Sequence, residues 1–182
     1  STYYRGKQEG GAMRTGIGHD IHRLIPTIRP SAIPVGGVEI PCFFSVKAHS
    51  DGDVLLHAIS DACLGALALG DIGTWFSDKA EENENRKSSE FVCQVMRQIR
   101  QMGWEVDHLD SNVFLEEPKL SPHMDAIRSH IARLVGVELS SVSVKAKTME
   151  GLGPVGERWA IAADAIVTLC LKEIPSHGAS TH

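Results

Sequence analysis

Arg14-Thr15-Gly16-Ile17-Gly18-His19-Asp20-Ile21-His22 splits into two sets of side chains. In an extended chain Thr15, Ile17, His19 and Ile21 leave one side, and Gly16, Gly18, Asp20 and His22 leave the other. The alternation predicts a strand over residues 14–21. A shorter strand is expected at 33–38, running into Pro41, followed by a loop that reaches Ala48-His49-Ser50-Asp51-Gly52-Asp53. That loop opens a helix over 53–69, where Val54, Leu55, Ala58, Ile59, Ala62 and Cys63 recur at helical spacing and Gly70 supplies the stop. Ser88 or Ser89 is expected to cap a second helix bearing Phe91, Val92, Val95, Met96, Ile99 and Met102, ended by Gly103. A strand at 110–115 follows. Ser121 and Pro122 are the expected cap and first residue of a third helix, with Met124, Ile127, Ile131, Leu134 and Val135 on its apolar face. Strands at 142–148 and 159–171 close the series. The order β-β-α-α-β-α-β-β describes an α+β domain whose sheet is mixed or antiparallel and packed by helices.

The 182 residues, 42% of them apolar, suffice for one core and are short for two. The domain is expected over 13–171. The tails, 1–12 and 172–182, are polar and are read as vector-derived or frayed ends. A net charge of -5 with interspersed signs excludes the basic stripe of a nucleic-acid binder. The same sign repels phosphates, so a phosphate-binding site here needs local cations or metal ions. No apolar run approaches the ~18 to 20 residues of a membrane span, so no membrane partner is expected. Cys42, Cys63, Cys93 and Cys170 are scattered without a C-x-x-C pair, which suits free thiols in a reducing, intracellular compartment.

Asp20 and His22, two apart on a strand, leave the same face and can converge on one ion. Such a pair is also common as a hydrogen-bonded surface pair. His57, four residues from both Asp53 and Asp61, adds an imidazole flanked by carboxylates. Three protein ligands with a fourth position open is the pattern of a zinc ion that acts on a substrate. The other reading is a helix-surface ion cluster. A second group comprises Lys145, Lys147, Thr148 and Glu150 at a strand end, offering cations, a hydroxyl for a phosphate and a hard oxygen ligand for magnesium; a plain charged strand end is its alternative. Gly151-Leu152-Gly153-Pro154-Val155-Gly156 matches G-x-G-x-x-G, but Pro154 and the strand beyond it exclude a dinucleotide-binding turn, leaving a tight connection. Neither a P-loop nor a G-x-S-x-G elbow occurs.

Taken together, Gly18-His19-Asp20-Ile21-His22, Ala48-His49-Ser50-Asp51-Gly52-Asp53-Val54 with His57, Gly70-Asp71-Ile72-Gly73, Pro118-Lys119 and Glu150-Gly151-Leu152-Gly153 resemble the 2-C-methyl-D-erythritol 2,4-cyclodiphosphate synthase family over residues 13–171. The resemblance implies a homotrimer with active sites between subunits. It implies a metal-assisted, intramolecular phosphoryl transfer on 4-diphosphocytidyl-2-C-methyl-D-erythritol 2-phosphate, a phosphorus-oxygen lyase reaction of non-mevalonate isoprenoid synthesis that releases CMP. On the same ground Asp20, His22 and His57 hold Zn2+, and Glu150 helps hold Mg2+ or Mn2+ against the substrate's diphosphate. His49 and Thr148 match the positions that steady the transition state. Ser50, Asp61, Asp71, Ile72, Gly73, Phe76 and Asp78 match substrate contacts, and Lys119, Leu120, Ala146, Lys147 and Thr148 match the cytidine and α-phosphate pocket. The implied compartment is the bacterial cytoplasm or a plastid.

The chain departs from the family's usual pattern in three places. Phe76-Ser77-Asp78-Lys79-Ala80-Glu81 replaces a loop that usually carries prolines and a second aspartate, so Asp78 alone of the acidic pair remains. The acidic stretch 71–88 is the expected cover that keeps water out. Lys147 and Met149 flank Thr148 where threonines are common, and Pro154 with Glu157-Arg158-Trp159 replaces the residues linked to isoprenoid diphosphate binding on the trimer axis. A zinc-dependent phosphodiesterase or pyrophosphatase, and a metal- and nucleotide-binding trimer without turnover, are the alternatives at this point.

Overall fold

The structure, a computed structural model, describes residues 11–76 and 86–172. The first strand, β1 (Met13–Val35), is far longer than its alternating start foretold and contains Ile33 to Val35, expected in a separate strand. At Gly36 and Gly37 both φ angles are positive, 60° and 80°, and Val35 pairs with Val38. This is the two-residue turn whose twist suits a hairpin, and glycine is the residue that adopts it without strain. The chain returns as β2 (Val38–Lys47), antiparallel to β1. The expected second strand therefore straddled a turn.

β2 leads to α1 (Val54–Ala66), capped by the Asp53 carboxylate, which accepts the Leu56 N–H. The helix stops four residues short of Gly70. Ala68 takes the left-handed conformation (φ 55°), and the N–H groups of Ala68 and Leu69 bond to the carbonyls of Gly65 and Leu64 at 3.1 and 3.0 Å, closing the helix in a Schellman turn. One helical turn, α2 (Ile72–Trp75), precedes α3 (Ser88–Gln101). Neither Ser88 nor Ser89 caps α3: Lys87 holds the cap position without a side-chain bond, and the Ser88 hydroxyl turns inward instead. Next come β3 (Trp104–Phe114), a 3-10 turn over Ser121–His123, and α4 (Met124–Val135). Ser121 and Pro122 belong to that turn, so α4 starts later than expected. β4 (Val142–Lys147), a single turn α5 (Gly153–Gly156) and β5 (Ala160–Leu171) complete the chain. The connection through Gly151 contains helix, but only one turn of it, and β5 runs antiparallel to both neighbours, so no βαβ dinucleotide unit forms.

The sheet order is β2-β1-β5-β3-β4, antiparallel except for the β3–β4 pair. The fold is thus α+β with a mixed sheet. α1 packs on β1 and β5, α3 on α1 and β3, and α4 on α3 and β4, burying Leu55, Ile59, Met96, Ile99, Leu109 and Ile127 completely or nearly so. α1 lies unusually close to the sheet. A Cβ at Gly16 would fall 1.9 Å from the Ala62 carbonyl oxygen, and one at Gly18 1.9 Å from that of Ala58. The two glycines let the helix backbone rest on β1, which sets His57 of α1 beside Asp20, the next inward-facing position of the strand.

The opposite sheet face carries only the single turn α5, whose Val155 packs on Ala160 and Ala162. There Ile17, Ile21 and Ile166 are 73%, 49% and 48% exposed. Around them His19 Nδ1 meets Asp164 Oδ1 at 2.6 Å and Lys145 meets both oxygens of Asp110 at 2.7 Å. Among the described residues, no helix is long and apolar enough to cross a membrane.

Candidate metal centre and the second cluster

Asp20 and His22 project inward from β1, and His57 comes down from the first turn of α1 to meet them. Asp20 Oδ2 lies 2.9 Å from His57 Nδ1 and 3.0 Å from His22 Nε2, and the two ring nitrogens are 3.3 Å apart. Among the described residues this is the group of three able to hold a metal ion. Burial pushes the Asp20 carboxyl up, but hydrogen bonds and charge from His22 and His57 outweigh it and bring it from 3.8 down to about 2. For His57, burial works against the charged ring, yet the bond to Asp20 and the charges of Asp20, Asp53 and Asp51 prevail and raise its pKa. Two imidazole nitrogens aimed at one carboxylate oxygen, in a partly buried site, form the donor set that suits zinc with a position left for a substrate.

The triad opens into a cavity of about 310 Å³ that His49, Ser50, Ile72, Gly73 and Phe76 also line. Its aromatic wall is Phe76 stacked on Phe91, ring centroids 4.6 Å apart, with Phe91 6.2 Å from the His57 ring. Asp71 stands beside the cavity as the cap of α2, accepting the N–H and hydroxyl of Thr74 at 2.9 Å each, which lowers its pKa. Asp61 accepts the Ile72 N–H at 2.8 Å and so fixes the same turn; burial and the charges of Asp71 and Asp20 raise its pKa. Asp78 lies outside the described residues, as does the stretch 77–85, half of the expected cover.

The second cluster is elsewhere. Asp20 pairs with Ala163, Ala163 with Val113 and Val113 with Ala146, so three strand spacings, about 14 Å, separate the triad from β4. Lys147 pairs with Phe114, Phe114 with Ala162 and Ala162 with Ile21, a row whose side chains face away from α1. Thr148 Oγ1 accepts the Glu150 N–H at 3.3 Å, and Glu150 is exposed with φ 53°. Lys119 and Ala146 are exposed beside them, whereas the Leu120 side chain is in the core. Lys145, read from its spacing as a phosphate ligand beside Lys147, is occupied by Asp110. One chain thus brings together Asp20, His22, His57, His49, Ser50, Ile72, Gly73 and Phe76, and keeps Lys119, Lys147, Thr148 and Glu150 apart from them.

Sequence reasoning gave no role to Phe91 or Lys47, which line the cavity, or to Ser88, whose hydroxyl lies 2.7 Å from His57 Nε2. Ser88 looked like a helix cap, and only the approach of α3 to α1 discloses its partner.

The model of the YgbB family matches residues 13–170. Proteins named 2-C-methyl-D-erythritol 2,4-cyclodiphosphate synthase from Treponema denticola and Verminephrobacter eiseniae are 44% and 45% identical to the chain, over 83% of it and 92% of the first protein, and 87% of it and 86% of the second. Among solved structures, the Plasmodium falciparum IspF in complex with CDP superimposes with a TM-score of 0.78 at 34% identity, covering 90% of this chain and 99% of that one. The IspDF of Campylobacter jejuni, described as bifunctional, superimposes with a TM-score of 0.83 at 35% identity over 90% of this chain and 44% of its own. The matched span contains both clusters and every described element except the last residue of β5, and on these grounds the chain belongs to the YgbB family, that of 2-C-methyl-D-erythritol 2,4-cyclodiphosphate synthase.

Proposed function

We propose that this protein converts 4-diphosphocytidyl-2-C-methyl-D-erythritol 2-phosphate into 2-C-methyl-D-erythritol 2,4-cyclodiphosphate and CMP. The convergence of Asp20, His22 and His57 on the wall of one cavity is the observation that carries the reading. In the reaction an oxygen of the 2-phosphate attacks the β-phosphorus, a new P–O bond forms, and the bond to the bridging oxygen breaks as CMP leaves with that oxygen and its electrons. The task for the protein is to fold a flexible polyanion into line and offset its charge. Asp20, His22 and His57 are the residues that would hold zinc, and Glu150, a hard oxygen donor, would serve a magnesium or manganese ion. A metal ion so bound acts as a Lewis acid on the phosphoryl oxygens.

The chain's own groups do the rest. Asp71 and Asp61 fix the α2 turn, whose Ile72 and Gly73 backbone lines the methylerythritol side together with Ser50 and Phe76. His49 and Thr148 donate hydrogen bonds to phosphoryl oxygens as charge builds on them. Lys119, Leu120, Ala146 and Lys147 form the cytidine and α-phosphate pocket, Leu120 through its backbone, since its side chain is buried. Asp78 belongs to the methylerythritol contacts by the same family likeness.

Because one chain holds the two clusters on different faces, the complete site is assembled from two copies in a homotrimer. The sheet face away from α1, with Ile17, Ile21 and Ile166 exposed beside paired charges, supplies a surface to bury between copies. Residues 13–171 form the working domain. Free thiols at Cys42, Cys63, Cys93 and Cys170 suit a reducing compartment, cytoplasm or plastid.

Phosphorus NMR with the diphosphocytidyl substrate, zinc and magnesium tests the reading. A cyclic diphosphate and CMP, absent with His22→Ala, is the expected result; open-chain phosphate products or unchanged substrate would overturn it.

A further inference from the structure

His57 has two ring nitrogens with different surroundings. Nδ1 faces Asp20 and His22, whereas Nε2 points to the opposite side, where Ser88 Oγ lies 2.7 Å away and Ser50 Oγ 3.3 Å away. Ser88 is fully buried at the start of α3, and its hydroxyl is in close contact with Asp51 Oδ1. The Ser88 N–H donates to Asp51 Oδ2 at 2.9 Å, and the Asp51 N–H donates to the Arg86 carbonyl at 3.3 Å. The start of α3 is thereby tied to the loop ahead of α1. His57 is 6% exposed and cannot turn to water for another partner.

The direction of these bonds follows from what each group can do. An ionised carboxylate only accepts, so Asp51 takes the proton of the Ser88 hydroxyl. The Ser88 oxygen is then left with lone pairs toward His57 and must accept from Nε2–H. In a neutral imidazole one nitrogen carries the proton and the other the lone pair. We propose that Ser88, held by Asp51, is a positioning residue that accepts the Nε2 proton His57 must carry once a metal ion takes the place of the proton that Asp20 accepts from Nδ1, and so favours the metal-bound form of the ring. The chain Asp51–Ser88–His57 joins α3 to the candidate metal centre through one part-buried and one buried bond. Without it, Nε2 keeps only the Ser50 hydroxyl, which can rotate to donate or to accept and therefore selects neither tautomer. The competing Nδ1–H form would give its proton to Asp20 and close the ligand position.

The inference rests on the reading of Asp20, His22 and His57 as a metal centre, and its test separates the two. Zinc affinity is measured by competition with a chromophoric chelator, and the His57 Nε2–H, with its exchange against solvent, by long-range 1H–15N correlation on the zinc-loaded protein. Ser88→Ala is expected to weaken zinc binding about 10- to 100-fold and to turn a slowly exchanging Nε2–H signal into a rapidly exchanging one. Asp51→Asn, which turns one acceptor into a donor, is expected to do the same and serves if Ser88→Ala does not fold. Wild-type zinc affinity together with an unchanged Nε2–H signal in the folded variant would overturn the proposal. If the wild-type protein bound no zinc, the metal-centre reading would fail and this proposal with it, whereas wild-type zinc binding that Ser88→Ala leaves unchanged overturns the proposal alone.

Discussion

His57 Nδ1 and Asp20 Oδ2 lie 2.9 Å apart although 37 positions separate them in the chain. The contact exists because α1 can rest directly on β1, and that approach depends on Gly16 and Gly18, which have room for no side chain. The geometry of the candidate metal site is a by-product of a backbone contact two residues away.

Gly18→Ala should therefore damage both stability and the metal site. Its methyl would meet the Ala58 carbonyl at 1.9 Å, backbone against which no rotamer change helps, so a loss of about 3 kcal/mol is expected. Urea denaturation and zinc titration check this together. Retained zinc affinity in a destabilised variant would mean that α1 had shifted without moving His57.

The metal-free protein should depend on pH through Asp20 and His57. The Asp20 carboxyl is held at about 2, below its ordinary 3.8. The stability it contributes, of order 2 kcal/mol, is present above pH 3.8 and lost as pH falls from there toward 2. His57 has a raised pKa, so its contribution is complete below its ordinary value of 6.5 and is lost as pH rises through the raised one. Zinc affinity should climb over that upper range, because the ion displaces the Nδ1 proton. Asp20→Asn should flatten both limbs of a plot of urea midpoint against pH.

Ala68→Gly should stabilise the protein by up to about 1 kcal/mol, since Ala68 closes α1 in the left-handed conformation that glycine adopts more easily. Thermal denaturation reads the gain. Turnover should not change, because Ala68 lies at the helix end remote from His57.

Ile17→Asp should dissociate the assembly. Ile17 is 73% exposed on the sheet face away from α1, where an added carboxylate costs little in a lone chain and much in a buried contact between copies. Sedimentation should give the mass of one chain, with turnover abolished and the fold intact by circular dichroism.

Much of this was legible in the sequence because periodicity reports which side a residue takes. Alternation placed Asp20 and His22 together, helical spacing found α1 and α3, and the strand and helix order gave the mixed α+β sheet. What failed was punctuation. Gly36-Gly37 forms a hairpin turn inside the expected second strand, and Ala68, ahead of the expected stop at Gly70, ends α1 in a left-handed conformation that alanine seldom takes. Lys145 seemed free until its pairing with Asp110 across the β3–β4 register appeared. Ser88 and Asp51 lay beyond sequence reading for a deeper reason: their bond depends on how α3 meets the loop before α1, which no local pattern encodes.

The central claim is that one active site draws Asp20, His22 and His57 from one copy and Lys119, Lys147, Thr148 and Glu150 from its neighbour. Mixing His22→Ala with Glu150→Ala, each inactive alone, tests it most directly. After dissociation and reassembly at equal amounts, a quarter of the sites should pair two intact halves, so about 25% of wild-type CMP release should return. Activity that stays at the level of the separate variants would contradict a site shared between copies.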